Sequence, residues 1–297
     1  MASVAVTRRH DLTEGQLAVL APLLPAPSAT GRPPKWEKRQ LIDGIRWRIR
    51  IGAPWRDVPA AYAPWPTVYG LFRRWQRDGT WDKIPSALQA AGDADGRIGW
   101  TVSVDSMTSR AHQHAAGART DGHLQKEPPG GVHDEPADHA LGRSRGGLTT
   151  KTHLACEQGQ KVLSMTVTAG HHGDSPQFIP VLRRIRATRL GVGQPRACPD
   201  LVLADKAYTS RGNRTTYASE GSRRASRERR TRTPTARPRA AAADARRRST
   251  QTSTGCGMPS RTASPRLKRH RGVATRYNKL AVRFQAVLTI TIICEWL

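Results

Sequence analysis

The stretch WTVSVD (100–105) decides how this chain is read. From Trp100 to Val104 apolar and polar residues alternate, the pattern of a half-buried strand, and the run ends on an acidic residue, Asp105. A second stretch, LVLAD (201–205), is a short apolar run that ends the same way, on Asp205. Between the two, 148–156 and 162–168 read as further strands. Ser175-Pro176 then marks a helix start, with serine as the cap and proline in the first helical position. Phe178, Val181, Leu182 and Ile185 give that helix its apolar face. The segment 113–147, rich in Gly, Pro, His and charge, reads as a loop. The order is therefore strand, strand, strand, helix, strand. This is an α/β pattern with an aspartate closing the first and fourth strands.

N-terminal to this block the texture is helical. Seven of the 8 tryptophans lie within the first 100 residues. Thr13 caps a helix that carries Leu17, Leu20, Leu23 and Leu24, with Glu14 and Gln16 in the first turn. After the break at Gly31-Arg32-Pro33-Pro34, residues 38–51 place Leu41, Ile42, Ile45 and Ile49 at helical spacing, and Gly52-Ala53-Pro54 ends the run. Val68, Leu71, Phe72 and Trp75 follow the same rule, with Arg73, Arg74 and Arg77 on the outer side, and 81–91 closes the block. A bundle of helices with arginines on one face fits a DNA reader of the helix-turn-helix type. The plainer reading makes the tryptophans core and the arginines a solvated rim.

Charge points the same way. The 297 residues carry 49 Lys plus Arg against 23 Asp plus Glu, a formal charge of +26. Such a surplus calls for a polyanionic partner, nucleic acid first. Residues 1–10 lack the apolar core of a secretory signal, and the most apolar run, 286–294, is far shorter than the ~20 residues of a spanning helix. These features lead us to expect a cytoplasmic protein with no membrane partner. Cys156, Cys198, Cys256 and Cys294 are scattered and read as reduced thiols. His112, His114, His123, His133 and His139 read as solvated loop histidines rather than a metal site.

One stretch breaks the texture. Residues 209–266 hold 15 arginines, 3 acidic residues, no lysine and no Val, Ile, Leu, Phe or Trp. Such a composition cannot bury enough apolar surface to offset its ordering entropy, so the stretch is expected to be disordered. It also holds much of the surplus charge, which weakens the charge argument for DNA binding by the rest.

Two aspartates at neighbouring strand ends are what a two-metal phosphoryl-transfer site requires. Mg²⁺ prefers carboxylate and water oxygens, and paired ions about 4 Å apart serve the attacking and leaving oxygens. On spacing alone the signal is weak, because most aspartates at strand ends are turn-formers or caps.

Seven segments resemble bacterial DDE transposases of the insertion sequence four/five superfamily. They are DGIRWRIRIGAPWRDVP (43–59), WPTVYGLFRRWQRDGTWDKI (65–84), VSVDSMTSRAHQHAAGA (102–118), LGRSRGGLTTKTHLAC (141–156), GDSPQF (173–178), VLADKAY (202–208) and RLKRHRGVATRYNKLA (266–281). The resemblance implies an all-helical DNA-binding domain of the helix-turn-helix type at 10–92, followed by a ribonuclease-H-like catalytic domain at 98–297. It implies that Asp105 and Asp205, with a third acid, hold two Mg²⁺ (or Mn²⁺) ions for strand cleavage and transfer. The implied partners are double-stranded DNA, both the element's terminal inverted repeats and its target, and a second copy of the chain when active. A bacterial cytoplasmic protein associated with the nucleoid is implied. DNA-contact candidates are Arg46, Arg50, Arg73, Arg74 and Arg77, then Arg143 and Arg145 beside Gly146-Gly147, with Lys206 and Lys268.

The third acid is where the chain departs from the family. The family's last catalytic helix reads Tyr, two residues, Arg, three residues, Glu, six residues, Lys, and Lys268 matches the final position. Counting back puts the Glu column on Arg261, the Arg column on Gly257 and the Tyr column on Thr254. None matches. Both ends of 214–265 pass abruptly from family-like to Arg/Thr/Ala/Ser-rich sequence, as a lost and regained reading frame would produce. A site without its third carboxylate is expected to give little or no transposition. Two rivals stay open: a non-catalytic DNA-binding remnant, and an RNA-binding protein, although no stacking-aromatic motif accompanies the arginines.

Overall fold

The computed structural model of the chain describes residues 10–26, 34–118, 127–204, 208, 210, 213, 215 and 260–297, with side chains from 263 onward in the last segment. The helices are α1 (Glu14–Leu20), α2 (Lys38–Ile51), α3 (Trp65–Arg77), α4 (Thr80–Ala94), α5 (Gln113–Ala116), α6 (Phe178–Arg183), α7 (Ser260–Lys268), α8 (Arg271–Ala274) and α9 (Ala281–Trp296). The strands are β1 (Thr101–Ala111), β2 (Gly142–Ser144), β3 (Gly147–Cys156), β4 (Val162–Ala169), β5 (Leu201–Ala204) and β6 (Thr275–Arg276). The architecture is mixed α/β. None of the described helices is long and apolar enough to cross a membrane.

Two compact units form. The first draws on Met1–Leu88, Thr108–Thr150 and Arg266–Leu297, the second on Gln89–Met107 and Lys151–Pro265. Strands β1 and β3 and helices α4 and α7 each contribute residues to both. The compact units thus group residues differently from the sequence segments 10–92 and 98–297.

In the first unit, local sequence dictates each helix. Thr13 and Gln16 form a reciprocal capping box at the start of α1. Leu41, Ile42, Ile45 and Ile49 make one buried stripe on α2, which stops where Gly52 adopts a left-handed φ of 74°. Pro66 sits in the first turn of α3, where its missing N–H costs nothing, and Val68, Leu71, Phe72 and Trp75 are buried along it. Helix α9 is apolar nearly all round and accordingly buried, packed with α2, α3 and α8. Its first backbone N–H groups, on Ala281 and Val282, donate to the Glu135 carboxylate at 2.7 and 3.0 Å. That carboxylate also contacts His139 Nδ1 at 2.7 Å.

Arg276, fully buried, ties the connecting segments of this unit together. Its guanidinium donates to the carbonyls of His139, Ala140, Asn278 and Lys279 and to Thr150 Oγ1, at 2.6–3.0 Å. Five contacts use the five N–H donors of an arginine, which is how a buried cation is tolerated. His139 and Ala140 have φ of 51° and 49°, so the guanidinium holds the carbonyls of a left-handed pair.

In the second unit β4 pairs with β3, β3 with β1, and β1 with β5. The β1–β5 pair is parallel, in register from Thr101 with Leu201 to Val104 with Ala204. Helix α6 covers β4, where Ser164 Oγ donates to the Val181 carbonyl at 2.6 Å. Gln89 on α4 donates to the carbonyls of Val162 and Leu163 at 3.3 and 3.0 Å. Val102, Val104, Leu154, Val162, Phe178, Val181 and Val202 form the core.

Four sequence expectations change. The first strand does not end on Asp105 but runs on to Ala111. Beyond Asp105, Met107 and Ser109 are buried and Thr108 and Arg110 exposed, so the two-residue alternation continues through polar residues. Ser175 is not the cap of α6; a single 3₁₀ turn, Ser175–Gln177, intervenes, with Asp174 in the cap position of that turn and Gln177 in that of α6. The loop 113–147 contains the short helix α5 and strand β2. Finally, residues 260–266, part of the stretch expected to be disordered, are helical: Ala263 and Leu267, one turn apart, are both buried.

Candidate active site

The second unit holds the first expected acid. Asp105 lies within β1, one residue past the last registered pair, Val104 with Ala204. The other strand of that pair leads directly into Asp205 in sequence. Asp205 and Lys206 lie outside the described residues. The Asp105 carboxylate is half-buried and hydrogen-bonded on both oxygens. Oδ1 accepts the Ser106 backbone N–H at 2.8 Å, and Oδ2 accepts the Ser264 hydroxyl at 3.0 Å. Ser264 belongs to α7, the helix that ends on Lys268. Cys156 at the end of β3 is buried, and burial, with lesser contributions from Asp105 and Glu157, pushes its thiol well above the usual range. That thiol stays protonated and is a poor ligand or nucleophile.

A second polar cluster stands on β3 and β4. His153 is buried, with Nε2 3.0 Å from Thr168 Oγ1 and Nδ1 3.7 Å from Asp174 Oδ1. Lys151 Nζ is 3.1 Å from the same Asp174 oxygen and donates to the His172 carbonyl at 2.9 Å. Burial, chiefly, lowers the His153 pKa to about 4. The lysine already neutralises the aspartate, so the group reads as a closed ion pair. Among the described residues no group of three His, Cys, Asp or Glu is placed to hold a metal ion.

The expected DNA contacts fall in different environments. Arg74, Arg143, Arg145 and Lys268 are exposed, the middle two at the β2–β3 turn. Arg46 is 13% exposed in its side chain and sits 3.8 Å from Asp43 Oδ1. Arg50 is half-buried on the same helix. Arg73 pairs with Glu127, and Arg77 donates to the Pro129 carbonyl. Arg73, Arg74 and Arg77, with Asp78 and Gly130, line an open cavity of about 470 Å³. Position 261 lies on the first turn of α7.

Sequence reasoning missed several residues. One is Ser264, whose hydrogen bond to Asp105 has no local signal, since positions 261, 264 and 268 share one helical face. Arg48 on α2 is buried, with its guanidinium 4.9 Å from the Trp55 ring, and burial lowers its pKa to about 10. Of the expected solvated histidines, His139 is buried against Glu135, and His133 Nε2 pairs with Asp82 at 2.8 Å. His123 and Cys256 lie outside the described residues, and Cys156 and Cys294 are free thiols.

Comparison with known proteins adds to this geometry. Residues 97–293 match the family described as "Transposase DDE domain", and residues 12–85 match one described as "Putative transposase of IS4/5 family". Over 108 residues the chain is 32% identical to "Uncharacterized protein y4sN" of Sinorhizobium fredii (strain NBRC 101917 / NGR234), a match spanning 36% of this chain and 82% of that protein. It is 33% identical over 101 residues to "Insertion element IS402 uncharacterized 16.2 kDa protein" of Burkholderia cepacia, covering 31% of this chain and 68% of the relative. No solved structure matches the chain.

Proposed function

Since the chain belongs to the transposase DDE-domain family, we propose that it is the transposase of an insertion element, one that binds the element's ends and has lost most of its strand-cleaving power. The carrying observation is the family match over 97–293, with Asp105 on strand β1 beside the parallel strand β5, and a ribonuclease-H-like fold is the reading that goes with it. The helical segment 10–92 reads the terminal inverted repeats of double-stranded DNA, through exposed cations such as Arg74. The catalytic segment 98–297 acts on those ends as a homodimer, in the bacterial cytoplasm at the nucleoid.

Divalent ions, Mg²⁺ or Mn²⁺, supply such families with an activated attacking oxygen and a stabilised leaving oxygen. The described residues do not complete a site for two of them. They offer the Asp105 carboxylate and the Ser264 hydroxyl, and no group of three His, Cys, Asp or Glu among them is placed to hold an ion. Asp205 is proposed as the second acid, outside the described residues. The same observation favours the second reading, a DNA-binding remnant that occupies element ends without cutting them.

Electrophoretic retardation on DNA carrying the element's ends, followed by incubation with Mg²⁺ or Mn²⁺, separates the readings. We expect preferential binding of the ends over random duplex, and at most trace cleavage that Asp105→Asn abolishes. Binding without any cleavage selects the remnant. Equal affinity for ends, random DNA and structured RNA would sink the transposase reading. Vigorous cleavage that survives Asp105→Asn would remove Asp105 from the site.

A further inference from the structure

We propose that Arg48, in the last turn of α2, binds one backbone phosphate of duplex DNA, with the Tyr69 and Tyr277 hydroxyls as further donors. This rests on the reading of the chain as a DNA-binding protein, and it adds a residue that is not among the DNA-contact candidates named from the sequence. Arg48 is 4% exposed, and its Nε and Nη1 are covered and donate to no acceptor. The ionisable groups that act on its charge are the Tyr69 and Tyr277 hydroxyls, and among the described residues no carboxylate pairs with it. A buried guanidinium ordinarily donates its N–H groups to acceptors, as Arg276 does in this same unit. Two features make the bare cation tolerable. The Trp55 ring face lies 4.9 Å away, and the C-terminal turn of a helix favours positive charge. Neither accepts an N–H, so the cost of the covered donors stands until an anion arrives.

The surroundings have the chemistry of a phosphate cradle, and all of them belong to the first unit. Tyr69 on α3 packs its ring 5.1 Å from that of Trp55, and Tyr277 follows β6 directly. Both tyrosines are half-buried, and among the described residues neither hydroxyl makes a hydrogen bond. Gly52, one turn after Arg48, makes room for them: a Cβ there would meet Arg271 Cβ at 2.8 Å and Tyr277 Cε2 at 3.3 Å. Arg271 beside Gly52 and Arg56 beside Trp55 are both exposed, and among the described residues neither pairs with an acid. A lone carboxylate would satisfy one cation of such a group. A phosphodiester chain presents successive anions, so one phosphate accepts from Arg48 and the two hydroxyls while its neighbours meet Arg56 and Arg271. Nη2, the guanidinium nitrogen left uncovered, is the edge that the phosphate reaches.

The test is the affinity of the full chain for two duplexes, element ends and random sequence, measured by fluorescence anisotropy across a salt series. Arg48→Met is expected to weaken both on the order of fivefold and to lower the salt slope by about one. It should also raise the melting temperature of the free protein, because an apolar chain of similar length replaces an uncompensated buried cation. A purely structural arginine gives the reverse, a lower melting temperature with an unchanged salt slope, and that result overturns the proposal. Tyr69→Phe combined with Tyr277→Phe keeps both rings and removes two donors, so it should weaken both duplexes several-fold. That double variant decides the matter if circular dichroism shows that Arg48→Met does not fold, and wild-type affinity in it then overturns the proposal. Inorganic phosphate separates the sources of the anion. If it raises the melting temperature of the wild type but not of Arg48→Met, while duplex affinity is unchanged between them, the site takes free phosphate and the DNA assignment falls. Two failures stay distinct. A wild type with no preference for element ends sinks the transposase reading. A wild type that prefers them, beside an Arg48→Met variant with the same affinity and salt slope, sinks the phosphate site alone.

Discussion

Asp43 is a buried carboxylate on the side of α2 away from the Leu41, Ile42, Ile45 and Ile49 stripe, the side that also carries Arg39 and Arg46. It is kept there by the Leu12 backbone N–H, which donates to Oδ1 at 2.8 Å, and by Arg46 and Arg39 at 3.8 and 3.9 Å. Burial outweighs these partners and lifts its pKa from 3.8 to about 6. The folded value lies above the unfolded one, so the stability this group contributes is fully present below pH 3.8 and is lost as pH rises through about 6. Asp43→Asn keeps an acceptor for Leu12 without the charge. Relative to wild type, its melting temperature should therefore improve steadily from pH 4 to pH 7, by the equivalent of up to about 3 kcal/mol. A difference that stays flat over that window would show that Asp43 does not carry the shift. None of this is legible in the sequence, where Asp43 is one letter of a recognised motif. Ser264 and Arg276 are hidden for the same reason: hydrogen-bond partners 126 to 159 residues away leave no local periodic trace.

Helix α2 is legible to the residue, as 38–51, because its apolar stripe and glycine stop are local signals, whereas the first helix stops at Leu20, short of Leu23 and Leu24, and α4 outruns its expected 81–91 at both ends. The short helix α8 is not legible, since four residues carry no period. What makes it matter is its approach to α2. A Cβ on Gly272 would meet the Ile49 carbonyl oxygen at 2.9 Å, and one on Gly52 would meet Arg271 Cβ at 2.8 Å. The backbone of α8 can approach α2 this closely only through glycine. Gly272→Ala should thus cost about 1–3 kcal/mol in denaturant unfolding, the range of an overpacked core position. Gly15→Ala is its control: a Cβ there meets nothing within 4 Å, and α1 should gain about 0.5–1 kcal/mol in helix propensity. If Gly272→Ala proves as harmless as Gly15→Ala, the close packing of α8 on α2 is not a constraint. The strand β1 was legible only in its first half, because its second half alternates serine, threonine and arginine rather than apolar residues.

Across the molecule, the positive surplus is unevenly committed. Arg276 and Arg48 lie inside the fold and Arg73 is spent on Glu127, while 15 arginines crowd into 209–266, the last of them, Arg266, paired with Glu295. A surplus of that kind binds any polyanion and cannot by itself tell an element's ends from random duplex. The stretch also interrupts the segment that should bring the third acid to Asp105, and its composition has none of the strong apolar residues that aim such a helix. A shifted reading frame accounts for both at once: arginine, threonine, alanine and serine codons are what a displaced reading of a GC-rich gene yields, and the boundaries on either side are abrupt. Translating the gene across codons 200–270 in its other two frames should then produce Tyr-x₂-Arg-x₃-Glu-x₆-Lys running into Lys268. With that helix restored, Mn²⁺-dependent cleavage of element ends should appear, and non-specific DNA binding should lose salt sensitivity as the arginines disappear. If neither frame encodes the helix, the basic stretch is the protein's own. Binding of DNA without cleavage is then its working activity.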